Sequence, residues 1–308
     1  MKAQYKVLVT WRLMIDYIKK NKILKKYPHI KFDLYSKKQS LDEKQILKKI
    51  LPYEGLICGD DEINKKVLDY AKKLKVISKW GTGIDSIDKN YCKVKKIKLF
   101  NTPGAFTNSV VQLAMSLMFA ASRDIVNTDS QIRRGVWPKT TGTLIKGKVL
   151  GIVGLGKIGK LLAKLCHQIG MKIIYYDIKK NHPANKNFKK LNKQSLLRKA
   201  DYIVICCDLN NFSKNLISLK DFKIMKKSAA IINVARGPII NEKDLIKALK
   251  KKFISFAGLD VFLNEPIRKN HELVKMKNCI LSSHNAFNCI EEVNFVNKNT
   301  LDNLIKNL

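Results

Sequence analysis

The stretch Val149-Leu150-Gly151-Ile152-Val153-Gly154-Leu155-Gly156-Lys157-Ile158-Gly159 decides the reading of this chain. An apolar run of strand character enters a Gly-x-Gly-x-x-Gly turn, and residues 160–169 follow with helical period. That order predicts the first βα unit of a dinucleotide-binding domain. Gly154 serves the tight turn, Gly156 lets backbone approach a pyrophosphate, and Gly159 allows close helix packing. The helix start at Lys157 and Ile158 offers N–H groups and partial positive charge to phosphates. Tyr176-Asp177 ends the next strand at about the expected ~20 residues further on. There Asp177 is placed to accept from an adenosine ribose and to repel a 2′-phosphate, which points to NAD over NADP. An ordinary solvated turn residue is the plainer alternative for Asp177, and Lys179 and Lys180 keep some NADP use open.

Working outward, short runs of Val, Ile and Leu alternate with segments of helical period, the pattern of parallel sheets covered by helices. Strands are expected at 172–176, 202–207, 229–235, 255–261 and 279–283 in the same domain as 149–153. An earlier series at 6–10, 30–35, 55–59, 75–80 and 97–102 reads as a small doubly wound unit of its own. Amphipathic stretches at 41–51 and 64–74 lie between those strands. A long helix is expected over 107–134, ended by Gly135-Val136-Trp137-Pro138. The fold class is therefore α/β, with two parallel-sheet domains.

The chain has 308 residues, 45% hydrophobic and 28% charged, which suits about two globular domains and excludes a disordered chain. Its formal charge is +35, yet only seven basic residues are Arg and 53 are Lys, scattered along nearly every helix. Specific phosphate and base readout favours Arg, so a solvated Lys-rich surface is expected rather than a specific nucleic-acid partner. Seven Cys without a CxxC spacing argue against a disulfide framework or a metal site. The N-terminus lacks a signal-peptide apolar core. The longest apolar run, 110–121, is interrupted by Gln112 and Ser116 and falls short of the ~20 residues that cross a bilayer. A cytoplasmic protein without membrane contact is the expectation.

Ligands bind outside the carboxyl ends of strands in such sheets. The run 229–235 ends at Arg236-Gly237, the run 255–261 holds Asp260 and leads to Glu265, and the run 279–283 delivers His284. Hydride transfer between an alcohol carbon and nicotinamide requires a proton to move at the oxygen, which a His near neutrality can carry. A carboxylate on the other ring nitrogen, as from Glu265, fixes the tautomer. The Arg236 guanidinium suits a substrate carboxylate. A lone His at a strand end is more often a packed or capping residue, and it is the convergence of the three that gives His284 its weight. His271 and His182 read as surface residues, His29 belongs to the first domain and His167 to the helix after the glycine turn.

These motifs together resemble the D-isomer-specific 2-hydroxyacid dehydrogenases, over nearly the whole chain. GIVGLGKIGK at 151–160 is similar to that family's cofactor fingerprint, INVARGPIINEKDLIKAL at 232–249 to its arginine segment, and LDVFLNEP at 259–266 and SSHNAF at 282–287 to its glutamate and histidine segments. The resemblance implies a Rossmann NAD-binding domain at 101–285 and a smaller flavodoxin-like substrate domain at 1–100 and 286–308, reached again by a final helix over 291–308. It implies Arg236, Glu265 and His284 as the catalytic set, and Thr107, Cys207, Ala235 and Asp260 at the cofactor, Asp260 on the nicotinamide amide. KWGTGIDSID at 79–88 resembles the substrate loop, with the N–H groups of Thr82 and Gly83 on the carboxylate. NTPGAFTNSVVQLA at 101–114 resembles the segment in which Asn101 faces substrate.

The implied activity is NAD-dependent hydride transfer to or from a small D-2-hydroxy acid by a homodimer joined through its cofactor domains. The wording of 77–85 and 101–106 is most similar to phosphoglycerate-dehydrogenase-like members, with Lys79 available for a substrate phosphate and a role in serine biosynthesis implied. D-3-phosphoglycerate is therefore the leading substrate expectation. Hydroxypyruvate or glyoxylate reduction is the alternative, and an NADH-sensing corepressor-like binding protein is the reading from another class. The chain departs from the family pattern at Gln112, at Ser283 and at Cys206-Cys207-Asp208. It also ends near 308, so no regulatory C-terminal domain and no serine feedback through one are expected.

Overall fold

A computed structural model describes residues 4–35, 40–179 and 186–308. The chain divides into two compact units, Met1–Phe106 with Asn288–Leu308, and Thr107–Phe287. Lys180 and His182, which entered the reading above, lie outside the described residues.

Continuous apolar runs become strands covered on both faces, as parallel sheets demand. In the first unit these are β1 (Tyr5–Val9), β2 (Ile30–Leu34), β3 (Gly55–Cys58), β4 (Val76–Lys79) and β5 (Lys98–Phe100). All pair parallel in the order β2-β1-β3-β4-β5, the flavodoxin-like order. Leu8, Leu56, Cys58 and Ile77 of the sheet pack against Ile46, Val67 and Leu68 of the helices Glu43–Leu47 and Lys65–Tyr70. Each fully buried aliphatic side chain of this kind contributes about 1.5–3 kcal/mol. The helix Ile290–Ile305 returns to this unit, where Ser78 Oγ donates to Thr300 O at 2.8 Å and Trp80 Nε1 to Asn297 Oδ1 at 2.7 Å.

The second unit holds β6 (Val149–Val153), β7 (Lys172–Tyr176), β8 (Phe188–Lys190), β9 (Tyr202–Ile205), β10 (Ala230–Asn233), β11 (Phe256–Leu259) and β12 (Cys279–Leu281). Their order, β12-β11-β10-β9-β6-β7-β8, is the dinucleotide-binding one, with its topological switch between β6 and β9. The helices Leu219–Ile224 and Glu242–Lys250 supply Phe222, Leu245 and Leu249 to the core beside Ile203, Ile231 and Ala257 of the sheet.

Several expectations need adjusting. The edge strand β8 was not expected, because Lys189 and Lys190 are exposed and leave Phe188 as its one apolar residue. The single helix expected over 107–134 is two, Thr107–Arg123 and Ile125–Ile132, bent by 62° at Asp124. Asp124 takes the left-handed conformation at φ 52°, tolerated by Asp more than by most residues, and accepts from Asn127 Nδ2 at 2.9 Å. Segment 101–106 goes with the first unit rather than the second. Thr102 N–H donates to Gly81 O at 2.9 Å, Asn101 Nδ2 to Thr82 O at 2.6 Å, and Phe106 packs 5.5 Å from the Trp80 ring. Residues 286 and 287 go with the second unit, where Asp260 holds Ala286.

Among the described residues no single helix is long and apolar enough to cross a membrane, and no three His, Cys, Asp or Glu gather as a metal-binding group. All seven Cys are free thiols.

Candidate active site

The glycine turn follows β6. Gly154 has φ +95°, and a Cβ there would lie 2.7 Å from the Cys207 backbone, so both conformation and space require glycine. A Cβ on Gly159 would meet Gly154 O, whereas one on Gly156 would meet nothing within 4 Å. Gly156 therefore leaves an open face at the start of the helix Lys157–Gln168, whose N-cap has no side-chain hydrogen bond. Lys157 and Ile158 are the first two residues of that helix. Asp177, just past β7, accepts from Leu155 N–H at 2.7 Å and from Lys179 N–H at 2.8 Å. Carboxylate oxygens accept more than one bond each, so these two contacts fix Asp177 against the turn and are compatible with a ribose contact. An open glycine face, an uncapped helix start and a fixed carboxylate at the neighbouring strand end fit a dinucleotide.

Cys207, half-buried after β9, has its thiol pushed up to about 11, chiefly by burial, and Cys206 is pushed up further for the same reason. Both stay protonated at neutral pH and add no anion to the turn. Asp208 is exposed.

A second cluster forms where β10, β11 and β12 end. Asn233, the last residue of β10 and buried, donates from Nδ2 to Arg236 O at 2.9 Å and accepts Ala235 N–H at 3.1 Å, which clamps the turn that presents Arg236. Arg236 Nη1 donates to Ala235 O at 2.8 Å. A Cβ on Gly237 would lie 2.0 Å from the Phe262 carbonyl, so this turn sits flush against the segment that carries Glu265. Phe262 N–H donates to Glu265 Oε1 at 2.9 Å, and Glu265 Oε2 lies 2.6 Å from His284 Nδ1.

His284 is itself left-handed, at φ 52°, a conformation that costs a non-glycine residue about 1 kcal/mol or more. Asp260, 1% exposed, supplies the restraint: its carbonyl accepts His284 N–H at 2.7 Å, and its carboxylate accepts Asn285 N–H at 2.9 Å and Ala286 N–H at 3.1 Å. Asp260 thus has a task in shaping the histidine turn that the sequence reading did not assign. Asn233 was also missed, since an Asn at a strand end gives no signal of what it clamps. The reading of His271 as a surface residue is corrected: it is partly buried, with Nε2 3.2 Å from Glu242 Oε1.

In the first unit, Lys79 ends β4 with its side chain only 6% exposed. Its Nζ donates to Asp60 Oδ1 at 2.8 Å and to Trp80 O at 3.0 Å. The expectation of a lysine open to a substrate phosphate meets an ammonium already paired with a carboxylate. Thr82 Oγ1 donates to Thr102 O at 3.1 Å, and the Asn101 amide grips Thr82 O. The N–H groups of Thr82 and Gly83 have no acceptor among the described residues, and Thr82 is exposed. Successive unpaired amides after Gly81, at φ +107°, form the kind of concavity that takes anions. Thr107 opens the helix Thr107–Arg123 in the second unit.

The family model described as D-isomer specific 2-hydroxyacid dehydrogenase, NAD binding domain, matches residues 115–286. A glyoxylate reductase of Thermococcus litoralis is 38% identical over 251 residues, 78% of this chain and 76% of that protein. One from Thermofilum pendens is 38% identical over 257 residues, 80% and 76% of the two chains. Among solved structures, the TT0316 protein of Thermus thermophilus superposes with a TM-score of 0.87 at 27% identity, covering 97% of this chain and 96% of that one. The chain belongs to the D-isomer specific 2-hydroxyacid dehydrogenases and is an NAD-dependent enzyme of that family.

Proposed function

We propose that this enzyme reduces a small, unphosphorylated 2-oxo acid with NADH, glyoxylate foremost, and that Arg236, Glu265 and His284 carry the chemistry. The observation that carries the proposal is the Glu265–His284 pair at 2.6 Å, beside the Arg236 turn. Reduction of a 2-oxo acid delivers a hydride to the carbonyl carbon and a proton to its oxygen. When bound, reduced nicotinamide supplies the hydride. His284, as imidazolium, gives the proton from Nε2, because Glu265 occupies Nδ1 and favours the charged ring. Arg236 holds the substrate carboxylate and draws charge onto the carbonyl oxygen. Thr82 and Gly83, with Asn101 shaping their loop, are the first unit's proposed anion-binding amides. Lys157, Ile158, Thr107, Cys207, Ala235 and Asp177 are the proposed cofactor neighbours.

Two facts support the unphosphorylated substrate over D-3-phosphoglycerate. The Lys79 ammonium is spent on Asp60, and the relatives above bear the name glyoxylate reductase. Steady-state assay with glyoxylate, hydroxypyruvate and 3-phosphohydroxypyruvate tests this. The expected result is kcat/KM for one of the first two at least about tenfold above the third. The opposite order would overturn the substrate assignment.

A homodimer through the second unit is part of the same proposal. Trp137 is 79% and Leu144 77% exposed, with Ile125, Val126, Ile132 and Val136 also exposed along the same stretch, more apolar surface than a lone unit usually shows. Light scattering is expected to report a dimer for the native chain and a monomer for Trp137→Glu; a native monomer would refute it.

A further inference from the structure

We propose that Glu242, outside the catalytic set, is a positioning residue that sets Glu265 against His284, with His271 as its second anchor. The inference rests on the reading of Glu265 and His284 as the proton couple. Glu242 begins the helix Glu242–Lys250, and its side chain is 15% exposed. Each of its oxygens grips a different point of the chain that follows β11: Oε2 accepts Leu263 N–H at 3.1 Å, and Oε1 faces His271 Nε2 at 3.2 Å.

The segment it grips has little room to move. A Cβ on Gly237 would lie 2.0 Å from the Phe262 carbonyl and 2.6 Å from Leu263 N, so the 262–263 peptide is seated between the turn of Arg236 and the Glu242 carboxylate. Phe262, the residue just before, offers the N–H that orients Glu265 Oε1, and the other oxygen of that carboxylate meets His284. A string of contacts therefore runs from Glu242 through Leu263 and Phe262 to Glu265. Letting Leu263 drift would move the donor that aims Glu265, and a hydrogen bond to an ionised partner weakens steeply with misalignment.

A helix-terminal carboxylate also has a bland role, as a favourable charge at the positive end of the helix dipole. The same helix provides the control. Lys250 pairs with Glu272, tying the short turn Glu272–Lys275 to the helix beside His271 while touching neither Leu263 nor Glu265. Loss of that tie frees the Glu272–Lys275 turn without releasing the string.

The test measures kcat, KM for the 2-oxo acid, NADH affinity and the pH profile of kcat for the native enzyme, Glu242→Ala, Glu242→Gln, Lys250→Ala and His284→Ala. Glu242→Ala is expected to lower kcat about tenfold with NADH affinity unchanged, and to move the alkaline limb to lower pH, because a less well aimed Glu265 holds the imidazolium less firmly. Glu242→Gln, which keeps an oxygen for Leu263, is expected to recover most of kcat, and Lys250→Ala to behave as native. Native kcat and pH profile in Glu242→Ala, or the same losses in Lys250→Ala, would overturn the proposal. Should Glu242→Ala fail to fold, His271→Ala carries the test: a smaller shift of the same limb supports the proposal, and a native profile overturns it. Retained turnover in His284→Ala is a different failure, that of the proton-couple reading itself.

Discussion

Glu265 Oε2 and His284 Nδ1 meet at 2.6 Å although 19 residues separate them, because β11 and β12 run parallel and in register, Leu259 opposite Leu281. Residues leaving the two strands emerge at one edge of the sheet. A short loop then needs only to turn back each side chain. For Glu265 the Phe262 amide does this, and for His284 the buried Asp260 carboxylate does.

That role of Asp260 makes the first prediction. Asp260→Ala leaves the buried Ala286 amide and the more exposed Asn285 amide without their acceptor and releases the left-handed turn, and the expected loss of stability is about 1–3 kcal/mol. Urea denaturation reads it as a lower midpoint with an unchanged slope. A loss below about 0.5 kcal/mol would mean the turn is held elsewhere.

Asp177 gives the second. Replacing it with Ala removes the negative charge that disfavours a 2′-phosphate, so the preference for NADH over NADPH in kcat/KM is expected to shrink at least about tenfold. Because Leu155 and Lys179 amides also lose their acceptor, NADH affinity is expected to fall as well. Unchanged selectivity would show that the ribose is read by another residue.

A third concerns pH and lies away from the proposed proton couple. Asp61 is 2% exposed, and burial raises its carboxyl above the ordinary value of 3.8, against hydrogen bonds from Thr10, Leu41 and Gly59 that pull the other way. The folded protein therefore holds this proton over a window just above the unfolded value, where the unfolded chain has already released it. Within that window stability contributed by Asp61 falls as pH rises, the reverse of a salt-bridged carboxylate. The difference in unfolding free energy between the native protein and Asp61→Asn is expected to shrink as pH climbs through the window. A difference that grows instead would contradict the burial argument.

How much of this was legible beforehand follows from what each signal depends on. Strand centres such as Val149–Val153 and Lys172–Tyr176 were readable residue for residue, since burial on both faces demands an apolar run. The glycine turn, and the emergence of Arg236, Glu265 and His284 beyond the ends of β10, β11 and β12, were readable because spacing after strands is itself the signal. Pairings across distant segments were not. Nothing local to Lys79 announces Asp60, nothing near Glu242 announces His271 and Leu263, and Asn233 looks like any polar residue ending a strand. Apolar helical character on both sides of Asp124 masked a bend that a single left-handed residue creates. The short edge strand β8, two of its three residues being exposed lysines, offered too little apolar pattern to register.

In the proposed reaction His284 moves the proton while the nucleotide is held by other residues. Its most direct test is NADH oxidation by glyoxylate in the native enzyme and in His284→Asn, alongside NADH binding followed by fluorescence titration. Turnover is expected in the native enzyme, with a loss of at least about a hundredfold in kcat for the variant and NADH affinity within about twofold of native. A variant that keeps its turnover, or loses nucleotide affinity in proportion to kcat, would contradict it.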